Sequence, residues 1–167
     1  MMHPRQSAKI FSSSLELLEK VKFWKSGGKS VVFTNGCFDI LHPGHVDYLN
    51  RAKDLGDYMV LGINTDQSVS RLKGEHRPIQ KEEARLQVLA GLQSVDALVL
   101  FDEETPIELI NMVKPNVLVK GGDYTIETIV GATEVLANGG RVEIIPFLEG
   151  YSTSAIEKRI LLGNQKG

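Results

Sequence analysis

At 167 residues the chain has single-domain length and enough material for one substantial hydrophobic core. A hydrophobic content of 42% and a charged content of 24% are those of a globular protein and exclude fibrous or disordered classes. The formal net charge of -2 excludes a general pull toward nucleic acid or anionic membrane, so any phosphate site must be local. The lone cysteine, Cys37, has no partner for an internal disulfide, and a reducing cytoplasm is the expected setting. The opening MMHPRQSAK lacks the apolar run of a secretory signal, and no later segment has bilayer length.

Residues 1–12 read as a flexible lead-in. Ser13-Ser14-Leu15-Glu16 fits a capping box, after which Leu15, Leu18, Val21 and Lys22 keep helical spacing up to Gly27-Gly28. Trp24 on this helix is expected to pack, or to meet another subunit. The main domain is expected over 29–167. Its first strand is the β-branched and aromatic run Val31-Val32-Phe33, suited to burial on both faces. From Pro43 the apolar period becomes helical through Val46, Leu49, Ala52 and Leu55, with Gly56 as the stop. This strand-loop-helix turn aims free backbone N–H groups at the strand's carboxyl end, where a phosphate is stabilised.

Tyr58 to Asn64 reads as a second strand. The following SVSRLKGEHRPIQ reads as a polar loop, solvated or ligand-bearing, with Arg71, Lys73 and Arg77. Lys81 to Leu92 is helical and carries Arg85. Val95 to Phe101 is the third strand, and the acids from Asp102 to Glu104 before Pro106 open a helix that ends before Pro115. That acidic cluster needs no functional explanation. Asn116 to Lys120 is the fourth strand, running into Gly121-Gly122-Asp123-Tyr124, which is a turn, or a close approach for a nucleotide with Asp123 and Tyr124 lining the pocket. A helix over Ile129 to Ala137 and a fifth strand over Arg141 to Phe147 follow. Ser154-Ala155-Ile156-Glu157 is a second capping box, which places hydroxyls and a helix N-terminus beside a strand end. Five strands alternating with helices predict an α/β, doubly wound parallel sheet.

His42-Pro43-Gly44-His45 admits three readings: two idle surface histidines, a metal pair, or a phosphate contact. The intervening Pro-Gly separates the loop histidine from the helical one, and no Cys or further His stands in zinc-like spacing, so no protein-held metal is expected. Thr34-Asn35-Gly36-Cys37-Phe38-Asp39 followed by His42-Pro43-Gly44-His45 resembles the TxGxFDxxHxGH signature of the cytidylyltransferase-like nucleotidyltransferases. The resemblance runs over nearly the whole chain after about residue 28 and is strongest to the branch that makes ADP-heptose from a heptose 1-phosphate and ATP. Glu149-Gly150-Tyr151-Ser152-Thr153-Ser154 resembles the superfamily's RTxGISTT motif, with Phe147 where the glycerol phosphate branch has arginine.

The resemblance implies a Rossmann-like sheet of order 3-2-1-4-5, magnesium carried by the triphosphate, and a homodimer. It implies a nucleotide site at Thr34, Asn35, Gly36, Phe38, Gly44, Lys120, Gly121, Gly122, Asp123, Tyr151, Ser152, Thr153 and Ser154. His42, His45 and Lys73 would stabilise the reacting phosphates, and Arg71, Arg77 and Arg85 would be candidates for the acceptor phosphate. A sugar 1-phosphate is already anionic near neutral pH, its second pKa being about 6, so no general base is required. Transfer of cytidylyl to glycerol 3-phosphate or a similar alcohol phosphate is the alternative within the class. Outside it stand a silent nucleotide-binding module and a cysteine hydrolase using Cys37.

Overall fold

The computed structural model describes residues 2–163. Six strands form one parallel sheet: β1 (Ile10–Phe11), β2 (Val31–Gly36), β3 (Tyr58–Asn64), β4 (Ala97–Phe101), β5 (Val117–Gly121) and β6 (Arg141–Ile145). Their order is β1-β4-β3-β2-β5-β6. The five expected strands thus stand in the expected order, and the lead-in supplies a sixth at the edge. Residues 1–12 were expected to be flexible; instead a short helix α1 (Pro4–Ser7) precedes β1, whose Ile10 and Phe11 pair with Leu98 and Val99. Two residues are too few to show a period in sequence. They are held because Leu98 N donates to Lys9 O at 2.7 Å and Lys9 Nζ donates to Leu92 O at 2.8 Å.

Helices cover both faces: α2 (Ser14–Ser26), α3 (Pro43–Lys53), α4 (Asp66–Lys73), α5 (Glu82–Ala90), α6 (Ile107–Val113), α7 (Ala132–Ala137) and α8 (Thr153–Gly163). Because strand side chains alternate, Val31 and Phe33 enter one core with Val60, Val99 and Leu118, under α2, α6 and α7. Val32 enters the other with Leu61, Ile63 and Val119, under α3 and α5. Both faces of the central strands are therefore sealed, which explains their continuous apolar runs.

Two expectations shift. On α2 the buried stripe is Leu17, Val21 and Trp24, whereas Leu15 is 70% exposed. Ser13 Oγ does accept from Glu16 N at 3.2 Å, but the Glu16 carboxylate turns to Ser12 rather than to Ser13 N. Trp24 is a packing residue, stacked on Tyr58 with centroids 4.2 Å apart. The polar stretch after Asn64 is not a loop throughout but contains α4, capped by Thr65, whose hydroxyl accepts from Ser68 N at 3.1 Å. Only Ser68 and Val69 of α4 are buried, too few for an amphipathic period to be seen.

The chain winds from β2 outward to β4, then crosses back to place β5 on the other side of β2. The strand order therefore reverses between β2 and β5. Their carboxyl ends, Gly36 and Gly121, flank the crevice where ligands bind in open α/β sheets. No helix among the described residues is long and apolar enough to cross a membrane.

Candidate active site

A cavity of about 410 Å³ opens at this crevice. From the predicted set it is lined by Asn35, Gly36, Phe38, His42, Gly44, His45, Lys73, Lys120, Gly121, Tyr151, Ser152 and Thr153. Segments distant in sequence meet there: the end of β2, the start of α3, the last residue of α4, the end of β5 and the start of α8.

His42 is the N-cap of α3, in extended conformation, and its ring makes no cap hydrogen bond. His45 lies in the first turn, and the two imidazoles stack with centroids 3.8 Å apart and 19° between planes. Nδ1 of each ring is buried without a protein hydrogen-bond partner among the described residues. Burial, the charge of His42 and that of Lys73 push His45 down to about 4, and burial lowers His42 also. Both rings are thus neutral at pH 7, each with one N–H to donate. Gly44 lets them meet: a Cβ there would stand 3.1 Å from the His42 ring and 3.3 Å from Tyr151 Cβ. Phe38, held at a left-handed φ of 48°, tilts against His45 at 5.1 Å.

Lys120 Nζ donates to Asn35 Oδ1 at 2.8 Å across the switch point, and burial lowers its pKa. Thr34 is fully buried and shares a 2.7 Å hydrogen bond with Tyr48, whose hydroxyl is pushed up to about 12 by burial. Thr34 therefore shapes the wall through Tyr48. Ser152 Oγ accepts from Ala155 N at 3.1 Å, which makes Ser152 the residue that caps α8, in place of Ser154. Gly122, Asp123 and Ser154 do not line the cavity. Gly122 has a φ of 109° and donates its N–H to Ile145 O at 3.0 Å; a Cβ there would strike the Phe147 ring at 2.7 Å.

The three arginines expected at an acceptor phosphate all have protein partners. Arg85 requires a correction, for it is buried inside the scaffold. Its guanidinium donates to Cys37 O at 2.7 Å, Asn64 O at 2.8 Å, Gln80 O at 3.1 Å and Asp66 Oδ1 at 3.0 Å. It ties the signature loop to the ends of β3 and the 77–80 turn. Arg77 bridges Asp39 at 2.7 Å and Glu157 at 2.6 Å, and Arg71 pairs with Asp102 at 3.0 Å. Both line a separate outer cavity with His76 and Lys81. Asp39, the acid of the signature, is 3% exposed and is not among the residues that line the histidine cavity. Burial raises its pKa, but the amides of Gln80 and Ile79 and the Arg77 guanidinium outweigh this and hold it below the usual range.

Tyr124 lines the cavity as expected, whereas sequence reasoning missed Tyr48, Phe147 and Leu148 as lining residues. Phe147 had a signal, as it stands where a related branch has arginine. Cys37 also lines the cavity, but its thiol contacts Asn64 Oδ1 at 3.7 Å and burial raises its pKa, the reverse of an activated nucleophile. No carboxylate lines the cavity, and no cluster of His, Cys, Asp and Glu suited to a metal occurs among the described residues. The donor set is one of ammonium, imidazole, hydroxyl and backbone N–H groups, which suits polyphosphate.

The fold and this site define a nucleotidyltransferase with a Rossmann-like parallel sheet. Residues 33–159 match the cytidylyltransferase-like family model, and the chain belongs to that family. It is 56% identical over 144 residues to the bifunctional protein HldE of Marinomonas sp. (strain MWYL1), covering 86% of this chain and 30% of that protein. It is 58% identical over 136 residues to HldE of Citrifermentans bemidjiense, covering 81% and 28%. The chain thus spans about 30% of the length of these curated relatives. Among solved structures, a lipopolysaccharide core biosynthesis protein from Thermoplasma volcanium GSS1 superposes with a TM-score of 0.59 at 32% identity, over 75% of this chain and all of that one. Pantoate-beta-alanine ligase from Francisella tularensis, at 18% identity and a TM-score of 0.59 over 89% of this chain and 75% of that one, shares the fold.

Proposed function

We propose that the chain transfers the adenylyl group of ATP to a heptose 1-phosphate, giving ADP-heptose and pyrophosphate for lipopolysaccharide precursor synthesis. The observation that carries the reading is the stacked, uncharged imidazole pair with unpartnered Nδ1 atoms, facing Lys73, Lys120 and the hydroxyls at the start of α8. Such a cavity supplies neutralisation and alignment, with no paired nucleophile and base. An acceptor that already carries an anionic oxygen needs nothing more. The similarity to the lipopolysaccharide core biosynthesis protein and to HldE supports the choice of sugar.

In this reaction an oxygen of the acceptor phosphate attacks the α-phosphorus, a new P–O bond forms, and the α–β bridging oxygen leaves with pyrophosphate. Charge builds on the α-phosphate oxygens and the departing group. His42 and His45 donate N–H hydrogen bonds to that charge from a position fixed by α3, so little reorganisation accompanies the step. Lys73 meets the leaving pyrophosphate, Ser152 and Thr153 hold the β and γ phosphates, and Phe147 with Gly121 offers a flat surface to the base. Magnesium would arrive on the triphosphate, since the cavity offers it no carboxylate, and would add positive charge between phosphate oxygens.

The same reading carries a homodimer working in the cytoplasm, supported by the family resemblance, by the lone cysteine and by apolar surface such as the exposed Ile160, Leu161 and Leu162 of α8. Light scattering on purified protein tests the dimer. Pyrophosphate release with magnesium tests the reaction, using ATP and CTP each against D-glycero-D-manno-heptose 1-phosphate and glycerol 3-phosphate. Release with ATP and the heptose phosphate alone is expected. Release with CTP and glycerol 3-phosphate would move the chain to another branch, and silence in all four arms would leave a binding module.

A further inference from the structure

We infer that Arg77 is a positioning residue for the nucleotide: its guanidinium ties α8, which brings hydroxyls to the cavity, to the signature loop, and α8 closes over the triphosphate about that tie. The inference rests on the reading of the cavity as the ATP site. Arg77 donates through one terminal nitrogen to Asp39 at 2.7 Å and through the other to Glu157 at 2.6 Å. Asp39 follows Phe38 in the loop after β2, and Glu157 lies one turn beyond Thr153 on α8. A planar guanidinium presents a fixed fork to two carboxylates at once, whereas a lysine at the same position offers a single point charge.

Little else holds α8. None of its residues is buried, and Ile160, Leu161 and Leu162 are exposed. Among the described residues, the Arg77–Glu157 pair is the one side-chain hydrogen bond or ion pair that joins α8 to the rest of the chain. Yet Ser152 and Thr153, where the helix begins, line the nucleotide cavity. The place of two phosphate-binding hydroxyls therefore depends on a helix without a buried face.

The two halves of the tie differ in strength. The Asp39 side chain is 1% exposed and also accepts from the N–H groups of Ile79 and Gln80, so the Arg77–Asp39 contact is enclosed and fixed. The Glu157 side chain is 41% exposed, and such a pair contributes little by itself. Opening breaks the Glu157 contact and leaves Arg77 on the signature loop. The apparent affinity for ATP is then scaled by the fraction of molecules in which α8 is docked.

Arg77→Met would strip a buried carboxylate of its cation and endanger folding, so the test uses Arg77→Lys, which keeps that charge, and Glu157→Gln. Each should raise the KM for ATP about two- to fivefold, the range of an exposed ion pair. The kcat at saturating ATP, the KM for the acceptor and the melting temperature should stay near wild type, because the bound triphosphate itself holds α8 docked. In the double variant the KM for ATP should rise no further than in the larger single one, since the same link is lost only once. An unchanged KM for ATP in both variants, multiplied effects in the double, or a rise shared equally by the acceptor would overturn the inference.

Hydrogen exchange reads the tie without turnover, since an 11-residue helix released from its support frays in water. Exchange of the α8 amides in the nucleotide-free protein should run about two- to fivefold faster in Arg77→Lys, whose α8 sequence is unaltered. It should slow in both proteins with a non-hydrolysable ATP analogue. Equal exchange in the two free proteins overturns the tie, and no slowing with the analogue overturns its role in nucleotide binding. If the chain transfers to no acceptor, faster exchange in Arg77→Lys with protection by the analogue keeps the tie while the transfer reading falls.

Discussion

His42 and His45 lie ring on ring, 3.8 Å between centroids, at the mouth of α3, and neither Nδ1 has a hydrogen-bond partner among the described residues. Two imidazolium ions at that separation repel, and burial already disfavours either charge. The pair is therefore neutral until an anion enters. A triphosphate reverses the balance by offering both rings acceptors and by favouring positive charge beside it. The arrangement responds to phosphate because it is poorly satisfied without it.

His45→Ala should lower kcat by about 10²–10³, on the scale of one lost oxyanion-type donor, or roughly 3–4 kcal/mol of barrier. The pH profile of the residual activity should keep any basic limb seen in wild type, since the acceptor phosphate supplies its own charge. Steady-state kinetics from pH 6 to 9 checks this; a basic limb that disappears with the imidazole would make His45 an acid or base.

Stability should depend on the same ring. The folded pKa of about 4 lies below the ordinary 6.5, so the unfolded chain takes up a proton that the folded chain refuses. The stabilising contribution is complete above pH 6.5, declines as pH falls toward 4, and is flat below. It amounts to something on the order of 2 kcal/mol once the solvent reaching the ring is discounted. Thermal melts of wild type and His45→Gln should converge in this window as pH falls, after allowing for the carboxylates; parallel curves would show that the ring titrates normally.

The sheet was legible because its strands are long apolar runs and its helices are marked by caps and glycines. The order of the five main strands came with the family resemblance and holds. What escaped were elements with little periodicity: Ile10–Phe11, too short to alternate, and α4, which buries two residues. At the site, the histidines, Lys73 and the α8 hydroxyls were marked by motif and place. Tyr48 was not, since an aromatic that lines a pocket reads in sequence like any packing residue. Arg85 was misplaced for the opposite reason. A charged side chain suggests a ligand, and only the fold shows three carbonyls and a carboxylate around it.

Gly44→Ala separates activity from stability. The position is inside the first turn of α3, where alanine would gain up to about 1 kcal/mol of helix propensity. The new Cβ, 3.1 Å from the His42 ring and 3.3 Å from Tyr151 Cβ, pushes that ring by a few tenths of an ångström. The expected result is a melting temperature near wild type with kcat/KM lowered about 10–100-fold. Wild-type activity would show that the stack tolerates displacement.

Arg85→Met tests the opposite assignment, support rather than contact. Its loss leaves the carbonyls of Cys37, Asn64 and Gln80 without their donor and Asp66 without one of its cations, in a place closed to solvent. Removing one partner of such a network costs about 3–5 kcal/mol, or roughly 10 °C in a domain of this size. Urea unfolding should show a lower midpoint with an unchanged slope. At a temperature where the variant remains folded, its KM for the acceptor should rise no more than its KM for ATP, because both follow the loosened signature loop. A normal midpoint with a KM defect confined to the acceptor would return Arg85 to the acceptor's phosphate.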